Sequence, residues 1–217
     1  GKYWADALLE AVWSEDEGDA WSQPIPLGKE PGLMVRHPPL ILGNQSLLLP
    51  AYDEKTRQTV LMTSPPPYNN WTETYRFSDL ELIQPVLVRE KSDRLSLFFR
   101  PCDSPRRIWR SHSSDNGKSW TIPMRTSLPN PLSGITAFVV EDSIALVYNH
   151  TENHQRFPLS ISITHDGGTT WEDPWHFETV ENEVSYPSFI KGRDGIIHGV
   201  YTYNRRMIKY VSMKSPR

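Results

Sequence analysis

Cysteine is almost absent. The 217 residues hold one, Cys102, which excludes an internal disulfide framework and a zinc site built from several thiolates. Long hydrophobic runs are missing too: no window of about 18 apolar residues occurs, so no membrane-spanning helix is expected. There is no excess of positive charge. Twenty-three Lys and Arg stand against 26 Asp and Glu, a net charge of −3, so nucleic acid held by bulk charge is not an expected partner. The sequence carries no HExxH and no glycine-rich phosphate loop, and no cofactor or metal is expected. The pair His150 and His154 has a ligand-like spacing only if helical, and that segment reads as a loop. The sequence opens on Gly1 and contains no basic-then-apolar leader, and secretion or an organelle lumen is compatible with it. Amphipathic helices are lacking, and the best stretch, 80–86, is interrupted by Pro85. What is plentiful is proline, with 19 residues, tryptophan, with 8, and tyrosine, with 9. Turn formers and β-favouring aromatics in such number suit an all-β protein.

One pattern recurs. Residues 14–21 read SEDEGDAW, residues 113–120 SSDNGKSW and residues 164–171 THDGGTTW. Each has Ser or Thr, then Asp, Gly and Trp at fixed offsets. Asp115 and Asp166 are 51 apart, Asp16 and Asp115 99 apart, so a copy is due near position 66. There residues 64–71 read SPPPYNNW, a degenerate copy in which Pro66 and Tyr68 replace Asp and Gly. The chemistry fits a tight turn between strands. Asp accepts backbone N–H bonds, Gly supplies a positive φ, and Trp folds back to bury its ring between units.

The intervening segments repeat as well. Strands are expected at 7–13, 59–64, 108–113 and 159–164 before the turns, and near Pro24, Tyr75, Ile122 and Trp175 after them. Two more follow in each unit: 40–42 with 46–51, 86–89 with 95–99, 137–140 with 144–148, and 189–191 with 196–201. A last strand is expected at 207–213. Four short strands per ~50 residues describe the blade of a β-propeller. The chain therefore reads as one all-β domain, 1–217, of about four to five four-stranded antiparallel blades.

In a propeller the ligand lies over the axis, where the inner strands begin. The repeat places Arg36-His37, Ile83-Gln84, Ser133-Gly134 and Ser185-Tyr186 there. Tyr52-Asp53, Arg100, Asn149 and Tyr203 end the second strands. Arg57, Arg107, Arg156 and Arg206 open the third strands at intervals of 50, 49 and 50 residues. An acidic chain thus gathers five arginines, counting Arg100, near one rim. Arginine captures carboxylate or sulfate bidentately, so an anionic sugar is the expected ligand class. The alternative is that these arginines are solvated or paired with Asp53, Glu54 and Asp103.

The turns resemble the Asp boxes, or BNR repeats, of the sialidase superfamily, and the chain is similar to its BNR-repeat-like branch over nearly all its length. Further landmarks are IQPVLVRE at 83–90, LPNPLSG at 128–134, VSYPSFI at 184–190 and YNRRMIKYV at 203–211. The resemblance implies a six-bladed parent, so this chain is expected to be incomplete at its N-terminal end. The first arginine of the family's carboxylate-binding triad, and its acid/base aspartate, would lie in that missing part. It implies that Arg100 and Arg156 are the second and third triad arginines and that Tyr186 is the catalytic nucleophile. It also implies a glutamate base at 83 or 84, where this chain has Ile83 and Gln84; Glu81 is the nearest substitute, and Glu181 or Glu183 are further candidates to approach Tyr186. A second family glutamate falls on Thr202.

Two functions are expected from this. One is a sialidase-like glycoside hydrolase acting on an acidic saccharide or glycoconjugate. Its catalytic residues would be Tyr186 and Glu81, its sugar-binding residues Arg100, Arg107, Arg156, Arg206, His37, Gln84, Asn130 and Ser133. The other is a non-catalytic propeller, either a lectin or a scaffold subunit, with a protein partner covering an open edge. Sequons at Asn44, Asn70 and Asn149 matter only for a secreted eukaryotic protein.

Overall fold

The computed structural model describes residues 3–102 and 104–214. Asp103, a candidate counter-ion for the rim arginines, lies outside the described residues. A 3-10 turn, Trp4–Asp6, precedes 18 strands. The strands β1 (Glu10–Ala11) and β2 (Ile25–Pro26) form a two-stranded sheet. Then β3 (Leu33–Val35) and β4 (Leu40–Ile41) share one partner, β5 (Leu47–Asp53), and β6 (Gln58–Ser64) and β7 (Thr72–Arg76) complete that sheet. The next is β8 (Leu82–Arg89), β9 (Leu95–Pro101), β10 (Arg107–Ser113) and β11 (Met124–Pro129). It is followed by β12 (Thr136–Val140), β13 (Ser143–Asn149), β14 (Leu159–Thr164) and β15 (Trp175–Glu178). The last sheet has three strands, β16 (Val184–Lys191), β17 (Ile196–Tyr203) and β18 (Met207–Lys214). Every pairing is antiparallel and, apart from β3 with β5, joins sequential strands, and the sheets are blades of a β-propeller. Among the described residues no helix is long and apolar enough to cross a membrane.

The Asp boxes are built alike. Ser113 Oγ donates to Asp115 Oδ1 at 2.7 Å and accepts the Gly117 N–H at 2.8 Å; Trp120 Nε1 donates to the Gly117 carbonyl at 3.1 Å. Gly117 needs to be glycine, with φ at +84° and a Cβ that would sit 3.0 Å from Leu48. The same three bonds recur at Ser14, Asp16, Gly18 and Trp21, and at Thr164, Asp166, Gly168 and Trp171. In the degenerate copy they are lost, and Ser64 Oγ and Trp71 Nε1 are buried without a partner.

The cores lie between blades. Leu48, Leu61, Phe99 and Trp120 join the second sheet to the third, with the Trp120 ring edge-on to Phe77. Phe98, Ile108, Ile144 and Tyr148 join the next pair, with Trp171 against Phe98. Phe138, Val147, Phe189 and Tyr201 join the last. Full burial of a Phe or Leu contributes about 1.5–3 kcal/mol, so these layers fix the blades side by side.

Three of the inner strands begin earlier than expected from sequence, because each of these is broken near its hub end, whereas β12 runs in unbroken register. Ile83 pairs with Arg100 but Val86 with Phe98, so one extra residue is inserted at Gln84-Pro85. Ser185 pairs with Thr202 but Ser188 with Val200, an equal insertion at Tyr186-Pro187. Val35 pairs with Ala51 and Leu40 with Leu48, an insertion of two around Pro38-Pro39. Proline cannot donate to a ladder, so the chain bulges where it occurs. The strand expected near Ile122 starts at Met124, and Ile122 is exposed.

Candidate functional site

The two single-residue bulges aim side chains at the hub. Gln84 has φ of +49° and Tyr186 of +54°, left-handed values that disfavour any residue with a Cβ by about 1–2 kcal/mol. Strain of this kind persists where the surroundings impose it and clusters at functional sites. Both residues line a cavity of about 570 Å³, together with Arg36, Tyr52, Glu54, Arg57, Arg100 and Cys102.

Arg36 reaches across this hub. Its Nη2 donates to the Pro187 carbonyl at 2.7 Å, and its guanidinium lies 5.3 Å from the centre of the Tyr186 ring. Its Nη1 is buried with no partner. A Cβ on Gly134 would stand 2.2 Å from that Nη1, so the glycine makes room for the guanidinium. Burial, reinforced by the charge of Arg100, lowers the Arg36 pKa to about 10 against the pull of the Tyr186 and Tyr52 phenols; it stays charged at neutral pH. Arg100, from the end of β9, has Nε buried without a partner. Burial and the charge of Arg156 lower its pKa, with Tyr186 opposing. Arg156 lies 5.1 Å from the Tyr186 ring centre, 3.4 Å from Glu183 and 3.5 Å from the Leu132 carbonyl. Burial pushes the Tyr186 phenol up, but a hydrogen bond from Arg156 and the charges of Arg156, Arg100 and Arg205 outweigh it, and the net shift is downward. Gln84 is buried beside Tyr52 in the cavity wall and leaves its Oε1 without a partner.

Arg100, Arg156, Gln84 and Tyr186 thus come together as the repeat suggested. Others do not. His37 is turned away: Nε2–H donates to the Ile135 carbonyl at 3.0 Å, and burial with the nearby Arg36 charge drives its pKa down to about 3. Asn130 and Ser133 are fully buried and bonded to each other, and Ser133 Oγ donates to Asn149 at 2.6 Å; neither presents a polar atom to the cavity. Asn149 is itself fully buried, donating to Val184 at 2.8 Å, and has no room for a glycan. Arg107 forms an ion pair with Glu152 outside the cavity. Glu81 pairs with Arg57 at 3.4 Å, both largely in solvent, so it does not serve Tyr186. Arg206 lies with Arg205, Thr202 and Ile208 in a shallower depression of about 410 Å³ that shares only Tyr186 with the hub. Of the other carboxylates considered, Glu183 is nearest to the cluster, holding Arg205 at 2.8 Å as well as Arg156.

Sequence reasoning placed Arg36 and Tyr52 near the axis but chose neither as a site residue, and took Glu54 only as a counter-ion for the arginines. Aligning blades on the residue before proline selects His37. The insertion at Pro38-Pro39 is two residues rather than one, which shifts the parity and brings Arg36 to the axis instead. Arg36, Arg57 and Arg100 against Glu54 make the cavity positive. Such a cavity can hold a carboxylate, with an acidified phenol beside it.

The model of the BNR repeat-like domain matches residues 1–199. No curated protein matches. Among solved structures, a variant of the NanB sialidase from Streptococcus pneumoniae superposes with a TM-score of 0.77 at 14% identity, over 94% of this chain and 35% of that one. The intramolecular trans-sialidase from Ruminococcus gnavus gives 0.75 at 18%, over 95% and 50%. Trypanosoma rangeli sialidase gives 0.66 at 17%, over 94% and 37%. The chain therefore spans between a third and a half of these structures, and at such identity the likeness is one of fold.

Proposed function

From the premise that this chain belongs to the BNR repeat-like domain family, we propose that its hub binds the carboxylate of an acidic sugar and that the protein is a sialidase-like glycoside hydrolase. One observation carries this reading. Arg36, Arg100 and Arg156 come from three successive blades and surround Tyr186 of a fourth, with Arg36 Nη1 and Arg100 Nε buried and unpaired. A buried donor without an acceptor costs about 1–3 kcal/mol, more when charged, and a carboxylate ligand would recover it. The Ruminococcus gnavus enzyme is solved with oseltamivir carboxylate, a ligand of the chemistry expected here.

Tyr186 is the nucleophile in this reading. A sugar whose reacting carbon bears a carboxylate would repel a second carboxylate; a phenol avoids that repulsion. The guanidinium groups lower the phenol's pKa, so the proton can leave to solvent as the oxygen bonds to the anomeric carbon.

A second reading is favoured by Gln84. It stands where the family resemblance places a glutamate, and among the described residues no hydrogen bond joins a carboxylate to the Tyr186 phenol. A lectin would bind the acid sugar and leave it intact; a scaffold subunit would do neither and instead copurify with partners. The test is turnover of 4-methylumbelliferyl α-N-acetylneuraminide. Wild type is expected to release the fluorophore and Tyr186→Phe to retain about 1% or less. Sugar binding with no turnover by wild type favours the lectin; neither binding nor turnover removes the hub reading.

A further inference from the structure

Glu54 is an acid among arginines that is tied to none of them. It follows β5, its backbone N–H donates to Gly32 at 2.8 Å, and its half-buried side chain lines the hub cavity. Among the described residues that line the cavity it is the one carboxylate. Among the described residues, other carboxylates around the rim are held by cations: Glu81 by Arg57, Glu152 by Arg107, Glu183 by Arg156 and Arg205, Asp53 by Arg76. For Glu54 no side-chain hydrogen bond or ion pair occurs among the described residues. Its charge is felt by the neighbouring Tyr52 phenol, which also faces Arg36 and Arg100.

Its position relative to Tyr186 is the second element. Tyr186 enters the cavity from the last blade, Glu54 from the first of the four large ones. Arg36 lines the same cavity, interacts with Tyr186 and with Tyr52, and is fastened to Pro187. A carboxylate sugar seated on the guanidinium groups would lie in a cavity whose wall carries both the phenol and Glu54. Glycosidase chemistry needs a proton donor and a nucleophile flanking the scissile bond, and a carboxyl not bound to a cation is free to move a proton.

We propose that Glu54 is the general acid and base of this site, an inference that rests on the hydrolase reading above. In the first half-reaction the Tyr186 oxygen bonds to the anomeric carbon, the bond from that carbon to the leaving oxygen breaks, and the Glu54 carboxyl proton passes to the departing alcohol. In the second, the Glu54 carboxylate takes a proton from water, the water oxygen bonds to the anomeric carbon and the tyrosyl bond breaks. The departing Tyr186 phenolate takes back a proton from solvent, and the enzyme returns with its other proton on Glu54.

The test compares two leaving groups. For Glu54→Gln, kcat/KM on 3'-sialyllactose is expected to fall by about 10²–10⁴-fold, whereas on the 4-methylumbelliferyl glycoside, whose leaving group needs little protonation, it falls less than about tenfold. Glu54→Asp, which keeps the carboxyl, should restore part of the sialyllactose activity, and matching thermal midpoints would establish that both variants fold. Tyr186→Phe should lose both substrates equally. Equal losses for Glu54→Gln on the two substrates, or none on either, would overturn the role of Glu54 while leaving the hydrolase reading intact. If wild type turns over neither substrate, the hydrolase reading itself fails and this role with it.

Discussion

His37 and Arg36 are neighbours with opposite fates. Arg36 keeps its charge in the hub; His37 is held neutral by burial and by that charge, with a pKa of about 3. Its folded pKa lies below the ordinary histidine value, so protonation favours the unfolded chain. Above pH ~6.5 both states are neutral and the contribution is complete; it declines as the pH falls through 6.5 toward 3. Between pH 7 and 5 His37 should account for a loss of about 1–2 kcal/mol. Urea midpoints at the two pH values measure it: His37→Gln, which retains an N–H for Ile135, should show a smaller drop than wild type. His112, lowered to about 4 mainly by burial and then by Arg94 and Arg110, leaves a remaining slope in both proteins. At this scale Tyr186, Arg100, Arg156 and Gln84 were legible, because repeat spacing fixes which strand end each occupies. Asn130 and Ser133 were not. A polar residue at a blade junction reads the same whether it faces a ligand or closes a buried network, as these two do with Asn149.

Among elements, the Asp boxes were legible in full, since their side chains bond locally and the sequence carries every partner. The degenerate copy tests what the box contributes. Ser113 Oγ satisfies the buried Gly117 N–H, whereas Ser64 Oγ, at the matching place, has no partner. Ser113→Ala should therefore cost about 1–3 kcal/mol of unfolding free energy, and Ser64→Ala close to nothing or a slight gain. Chemical denaturation of the two variants decides it; equal losses would mean that the turn, not the bond, supplies the stability. The hub ends of the inner strands were less legible. Proline marks that a bulge occurs, but whether one or two residues are inserted depends on the pairing partner, which is ~15 residues away in sequence. That number settles parity, and parity settles whether Arg36 or His37 faces the axis.

For the whole molecule, the order of blades was read from the period, and the sheets follow it: two strands, three full blades, three strands. The flanks of this arc differ from its interior. Trp120 is 9% exposed against the preceding blade, whereas Trp21, in an identical box, is 61% exposed. On the last blade Phe189 is buried, while Ile190, Ile208 and Tyr210, on the opposite face, are in solvent. The chain carries net negative charge, yet its hub is lined by arginines, because the repeat returns to the axis once per blade and places a cation there from several of them. A carboxylate-selective hub is what this concentration of charge is expected to produce. The direct measurement is calorimetric titration of the protein with N-acetylneuraminic acid and, separately, with its methyl ester, which has the same sugar without the negative charge. Binding of the acid alone, abolished by Arg100→Ala, is the expected result; equal binding of acid and ester, or binding of the acid that survives Arg100→Ala unchanged, would contradict it.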